Sequence, residues 1–190
     1  MSFILASQSP QRKKILEAMG LEFKIIPAHI DEHHSGYVRP HAIVQSIARR
    51  KGQEVAKKYS DQWIIAADTI VILSNGQIAL KPENEKKAEK VIQSYRNSHC
   101  WVYSGLALLN SSKKVCWVGY EKSKIEFKDF SESEIKAYLK VGRLKESSVS
   151  LTIEEVGDWV KKIKGDYSTI VGLPVFLLKK FLQKAEKLSV

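Results

Sequence analysis

Several charged side chains in this chain stand where apolar ones belong, and they are the first candidates for chemistry. Asp68 lies inside Trp63–Leu73, read as WIIAADTIVIL, the most continuously apolar run in the sequence. An ionised carboxylate is costly to bury unless it is paired, hydrogen-bonded or bound to a metal. Asp68 therefore reads as a metal ligand, a general base, or a structural carboxylate capping a turn or paired with a lysine such as Lys51. Lys51 follows Ile47 by four residues and precedes Val55 by four, on the apolar stripe of an expected helix. Such a lysine either snorkels to the edge, the commoner outcome, or meets a buried anion. Ser7-Gln8-Ser9-Pro10-Gln11-Arg12 combines two hydroxyls, a helix start and a guanidinium. That set suits a phosphate group, and equally an ordinary N-cap followed by a surface arginine. Asp31-Glu32-His33-His34, with His41 nearby, holds metal-ligand types. Neighbouring loop residues rarely converge on one ion, so the histidines read as solvated and Glu32 stays open as a carboxylate ligand. Lys81, before Pro82, places an ammonium on a stiff loop.

These residues need rigid mounts. Phe3–Ala6 reads as a short buried strand running into Ser9, a natural N-cap, with Pro10 at the first helical position and a helix over Gln11–Met19. A strand is expected over Glu22–Ile26, a polar loop over His29–Arg39, and an amphipathic helix from Pro40 to about Tyr59. The run holding Asp68 follows as a strand, with Ser74-Asn75-Gly76 as a tight turn into Gln77–Ala79. A helix over Glu83–Tyr95 comes next, then two strands, Cys100–Leu109 and Val115–Phe127, joined at Asn110–Lys113. Ser131-Glu132-Ser133-Glu134 is a capping box for a further helix ending before Gly142. Val156–Ile163 reads as a strand, and Pro174 opens a C-terminal helix. Strands and helices interleave, so the class is α/β, with a mixed, curved sheet and flanking helices.

The composition is that of a globular protein: 44% hydrophobic and 27% charged over 190 residues. No apolar run is long enough for a bilayer, and a soluble, cytoplasmic protein is expected. Cys100 and Cys116 are too few for a disulfide framework and read as free thiols. The net charge of +10, from 31 basic and 21 acidic residues, favours anionic partners. The lysines are scattered singly and in pairs, which argues against a nucleic-acid arm.

Taken in order, the motifs resemble those of the Maf family of nucleoside triphosphate pyrophosphatases. They are Leu5-Ala6-Ser7-Gln8-Ser9-Pro10-Gln11-Arg12, Asp31-Glu32, Arg50-Lys51-Gly52, Ala67-Asp68-Thr69, Lys81-Pro82, Ser104-Gly105, and Gly165-Asp166-Tyr167 leading to Val171-Gly172-Leu173-Pro174. The resemblance runs from residue 4 to about 178. It implies one Maf-like domain over residues 1–190, elongated, with two lobes around a central cleft, and similar to inosine triphosphatases. It also implies a homodimer and hydrolysis of a nucleoside triphosphate to the monophosphate and pyrophosphate, dependent on Mg²⁺ or Mn²⁺. By position, Ser7, Arg12, Lys51 and Lys81 would hold the triphosphate. Glu32 and Asp68 would hold the metal, with Asp68 as proton acceptor.

Three departures bear on substrate. Gln11 replaces the family's first arginine. Glu146-Ser147-Ser148-Val149-Ser150-Leu151 replaces a segment that carries a lysine, a glycine and an aromatic in the family. Glu154 replaces a glutamine found in many members. A carboxylate offers only acceptors, suiting the N1–H and amino donors of guanine, whereas an amide suits uracil or thymine. Gln11 and Glu154 resemble the family branch acting on 7-methyl-GTP, and Thr69 the branch acting on dTTP and UTP, so the signature is mixed and leans slightly to a guanine-type base. The altered 146–151 segment keeps open a weakened, non-catalytic binding protein for RNA or a cell-division partner. A phosphohydrolase releasing single phosphates is a third reading.

Overall fold

The computed structural model describes residues 1–32, 39–80, 82–140, 153 and 156–188. Among these residues six strands are ordered β2-β1-β3-β4-β5-β6: β1 Phe3–Leu5, β2 Phe23–Ile25, β3 Trp63–Leu73, β4 His99–Asn110, β5 Val115–Phe127 and β6 Val160–Lys164. β1 pairs in parallel with β2 and β3, while β5 and β6 run antiparallel with an irregularity at Glu126/Phe127. The helices are α1 Pro10–Ala18, α2 Pro40–Ala56, α3 Glu85–Tyr95, α4 Glu132–Lys140, α5 Tyr167–Val171 and α6 Val175–Lys187. The mixed α/β class and the bounds of β3 and β5 agree with the sequence reading. One expectation is corrected. Gly157–Trp159 is a 3₁₀ turn, so the strand expected from Val156 starts only at Val160. α5 was not anticipated, because five residues are too few to carry a helical period.

The chain groups into two compact units, one of residues 1–69, 103–122 and 167–190, the other of residues 70–102 and 123–166. In the first, strand alternation sorts the core into two layers. Phe3, Leu5, Trp63, Ile65, Ala67, Leu106 and Leu108 face α1 and α6, meeting Leu16, Leu178, Phe181 and Ala185. Ile4, Ala6, Ile64, Ala66, Ala107 and Leu109 face α2, meeting Ala48, Val55 and Ala56. α2 is pressed hard onto β4. A Cβ on Gly105 would stand 2.3 Å from the Val44 carbonyl oxygen, backbone against backbone. One on Gly52 would meet the Leu109 side chain at the same distance.

In the second unit, α3 and α4 cover a core that includes Ile92, Tyr95, Val102, Phe127, Ile135 and Leu139. Phe130 stacks on Trp159 at 4.3 Å between centroids. The expected capping box forms, with Ser131 Oγ and its amide reaching Glu134 and the Glu134 amide returning to Ser131 Oγ at 3.2 Å. The turn after β3 closes at Gly76, whose φ of +83° is the left-handed region glycine adopts without strain. Cys100 is buried and Cys116 exposed, both free, and burial pushes the Cys100 thiol up to about 12. Among the described residues no helix is long and apolar enough to cross a membrane.

Candidate active site

Asp68 and Thr69 are successive residues of one strand and project to opposite faces of the sheet. Asp68 continues the series Ile64, Ala66 toward α2, and Thr69 continues Ile65, Ala67 toward α1 and α6. Each meets a cation supplied by the helix on its side.

On the α2 face, Asp68 is 5% exposed and Lys51 9% exposed. Lys51 Nζ lies 2.9 Å from Asp68 Oδ1 and 2.9 Å from Glu32 Oε1. Lys51 therefore meets a buried anion instead of snorkelling, which settles the question raised by its place on the apolar stripe. The two contacts differ in surroundings, since the Asp68 side chain is 7% exposed and that of Glu32 55%. The ammonium thus bridges an inner and an outer carboxylate.

On the opposite face, α1 begins at the Ser9 N-cap, whose Oγ accepts from the Arg12 amide. Arg12 then turns back under the strands instead of lying on the surface. Its Nε donates to the Gly172 carbonyl at 2.9 Å, its Nη1 to Ser7 Oγ at 3.1 Å and the Ala67 carbonyl at 2.9 Å, and its Nη2 to Thr69 Oγ1 at 3.3 Å. Burial pulls the Arg12 pKa below its ordinary value, and the charges of Asp68 and Glu32 pull it back up. Ser7 Oγ also accepts from the Ser9 amide at 3.2 Å. Gln11 faces inward only as far as Ser9, whose hydroxyl donates to its Oε1 at 3.2 Å.

The structure thus brings Glu32, Lys51 and Asp68 together on the α2 face and Ser7, Arg12 and Thr69 together on the α1 face, all within the first unit. Lys81, Glu154, His33, His34 and the 146–151 segment lie outside the described residues. Residues that carried no role in the sequence reading also enter the site: Gly172 through its carbonyl, and Ser104 and Thr169 through bonds beneath Thr69. Ser104-Gly105 and Val171-Gly172 stand within quoted motifs, which was the available signal. Their contributions come from backbone carbonyls and a buried hydroxyl, which residue type alone does not announce.

The donor chemistry suits a hard divalent cation. Two carboxylates reach one ammonium, so they can also reach one ion. Among the described residues no group of three or more His, Cys, Asp or Glu converges. Mg²⁺ is commonly held by one or two carboxylates, completing its shell with water and substrate phosphates. Glu32 and Asp68 fit that pattern and do not form an all-protein cage.

The fold is similar to that of a solved Ham1 structure. The Staphylococcus aureus Ham1 protein superposes with a TM-score of 0.56 over 97% of this chain and 100% of that one, at 13% identity, a likeness of fold alone. The model of the family described as Maf-like protein matches residues 2–185, and the chain belongs to the Maf family. A Dictyoglomus thermophilum protein named dTTP/UTP pyrophosphatase is 37% identical over 95% of this chain and 94% of its own length. A Halalkalibacterium halodurans protein of the same name is 38% identical over 90% of each.

Proposed function

We propose that this protein is a nucleoside triphosphate pyrophosphatase, hydrolysing a (d)NTP to the monophosphate and pyrophosphate, with dTTP or UTP as substrate. The observation that carries the reading is the buried Asp68 carboxylate held beside Lys51, with Glu32 on the same ammonium. The names of relatives sharing more than a third of this sequence supply the substrate.

The charges of the site support this chemistry. Arg12 and Lys51 carry two positive charges, and Glu32 and Asp68 two negative, a sum of zero. A triphosphate needs more positive charge than that. Lys81 adds one, and Mg²⁺ or Mn²⁺ held by Glu32 and Asp68 would supply the rest, neutralising the phosphate oxygens when bound. Lys51 exchanges its carboxylate partners for phosphate oxygens as the nucleotide arrives. Ser7 and Arg12 flank the same phosphates, Arg12 held in orientation by the Gly172 and Ala67 carbonyls. Asp68, freed from Lys51, orients the attacking water and takes its proton. The hydroxyl adds to phosphorus as the anhydride bond between the α- and β-phosphates breaks. The protein would clear unwanted nucleotides, as a homodimer.

A second reading, 7-methyl-GTP as substrate, is favoured by Gln11 standing where a pyrimidine-type site would carry arginine. One experiment tests both. A nucleotide panel is incubated with Mg²⁺ or Mn²⁺ and the products are identified. Pyrophosphate and monophosphate from dTTP and UTP are the expected result, and the same products from 7-methyl-GTP alone select the second reading. Release of single phosphates, or tight RNA binding with no turnover, overturns both.

A further inference from the structure

Beneath Thr69 runs a chain of hydrogen bonds whose proton directions follow by counting. Arg12 Nη2 can only donate, so Thr69 Oγ1 accepts from it at 3.3 Å. Thr169 O can only accept, so Ser104 Oγ donates to it at 2.7 Å. A serine hydroxyl has one proton. The 2.8 Å contact between Thr69 Oγ1 and Ser104 Oγ must therefore be donated by Thr69. The alternative acceptor for Thr69, the Gly172 carbonyl, lies at 3.5 Å and already receives Arg12 Nε at 2.9 Å.

The Thr169 carbonyl is available for structural reasons. α5 ends at Val171, and Gly172 turns the chain at a φ of +107°. The Gly172 and Leu173 amides both bond the Ser168 carbonyl, as in a glycine-terminated helix. The Thr169 carbonyl takes the Ser104 hydroxyl instead. Ser104 and Thr169 are fully buried, so water is not an easy substitute partner. Thr69 itself is only partly buried.

We infer that Ser104 is a specificity-positioning residue: by consuming the Thr69 proton, it makes Thr69 Oγ1 an acceptor toward the substrate, matched to the ring N–H on the base-pairing edge of the nucleobase. That N–H is N3–H in thymine and uracil and N1–H in guanine, so the inference rests on the nucleotide site proposed above and not on which base it takes. Ser104 does not touch the substrate; it acts through Thr69.

The test measures kcat and KM for a triphosphate and its ring-N-methylated counterpart, dTTP with N3-methyl-dTTP or GTP with N1-methyl-GTP, in wild type, Ser104→Ala, Thr69→Val and the double variant. The wild type is expected to prefer the unmethylated nucleotide by about tenfold or more, the scale of one lost hydrogen bond to a polar site. Ser104→Ala should reduce that preference severalfold, mainly through KM, and should change nothing further in the Thr69→Val background. Ser104→Thr, which keeps the hydroxyl, should restore it. Ser104→Cys, a weaker donor, should fall between and serves if the alanine variant does not fold. An unchanged preference in Ser104→Ala, or losses that multiply in the double variant, overturns the role of Ser104 alone. Wild-type protein that neither hydrolyses nor binds any nucleoside triphosphate, with thymidine α,β-imido-triphosphate as calorimetric probe, overturns the site reading beneath it.

Discussion

The two faces of β3 handle a polar residue by opposite means. Toward α2, Asp68 is balanced by charge, through one ammonium shared with a half-exposed second carboxylate. Toward α1, Thr69 is balanced by hydrogen bonds that end on backbone carbonyls at Gly172 and Thr169. A charge pair can exchange partners, because phosphate oxygens and a metal ion can replace what the protein groups give one another. Hydrogen bonds ended on backbone carbonyls have no such substitute and hold one geometry. Under the proposed function, the α2 face is the one whose pairing changes during the reaction, and the α1 face holds Arg12 and Thr69 in fixed orientation toward the nucleotide.

The sharpest way to break this contrast is Asp68→Asn. The amide keeps the shape and an acceptor for Lys51 but cannot take a proton, so turnover should fall roughly 10²- to 10⁴-fold, the usual contribution of a general base. Circular dichroism should report an unchanged fold, and full activity would make Asp68 purely structural. Lys51→Met leaves a buried carboxylate without its ammonium and should cost about 3 kcal/mol of folding free energy, read from urea denaturation. On the other face, Thr69→Val removes the link between Arg12 and Ser104 and should cost about 1–2 kcal/mol, with no dependence on ionic strength. Glu32→Gln should cost no more than about 1 kcal/mol, because its pair with Lys51 is half exposed and screened by solvent. Its turnover should nevertheless drop sharply. A stability loss for Glu32→Gln equal to that for Lys51→Met would erase the distinction between the inner and outer carboxylate.

Much of the α2 face is legible in the sequence. A carboxylate amid apolar residues and a lysine on an apolar stripe are each costly alone, and mutual pairing was one of the readings open for Asp68. The alternation of β3 also separates residues 68 and 69 to opposite sides. The α1 face was less legible. Arg12 looked like a surface residue or a phosphate ligand, and only the fold shows it reaching Gly172, 160 positions away. Ser104 and Thr169 are uncharged, and their bonds depend on where a five-residue helix ends, which no periodic pattern encodes. Of the fold, the long strands and amphipathic helices were readable from periods of 2 and 3.6. α5 and the 3₁₀ turn at Gly157–Trp159 were too short to leave a period.

The contact at Gly105 has a mechanical consequence for Lys51. Most helix-to-sheet spacings are set by side chains, which change rotamer or compress when a neighbour is altered. At Gly105 the spacing is set by main-chain atoms of α2 and β4, and these have no rotamer to yield. α2 thus rests on a hard stop two turns before Lys51, and its height above the sheet is insulated from drift in the surrounding core. Apolar substitutions elsewhere in that layer can alter the stability of the protein while leaving the span from helix axis to Asp68 unchanged.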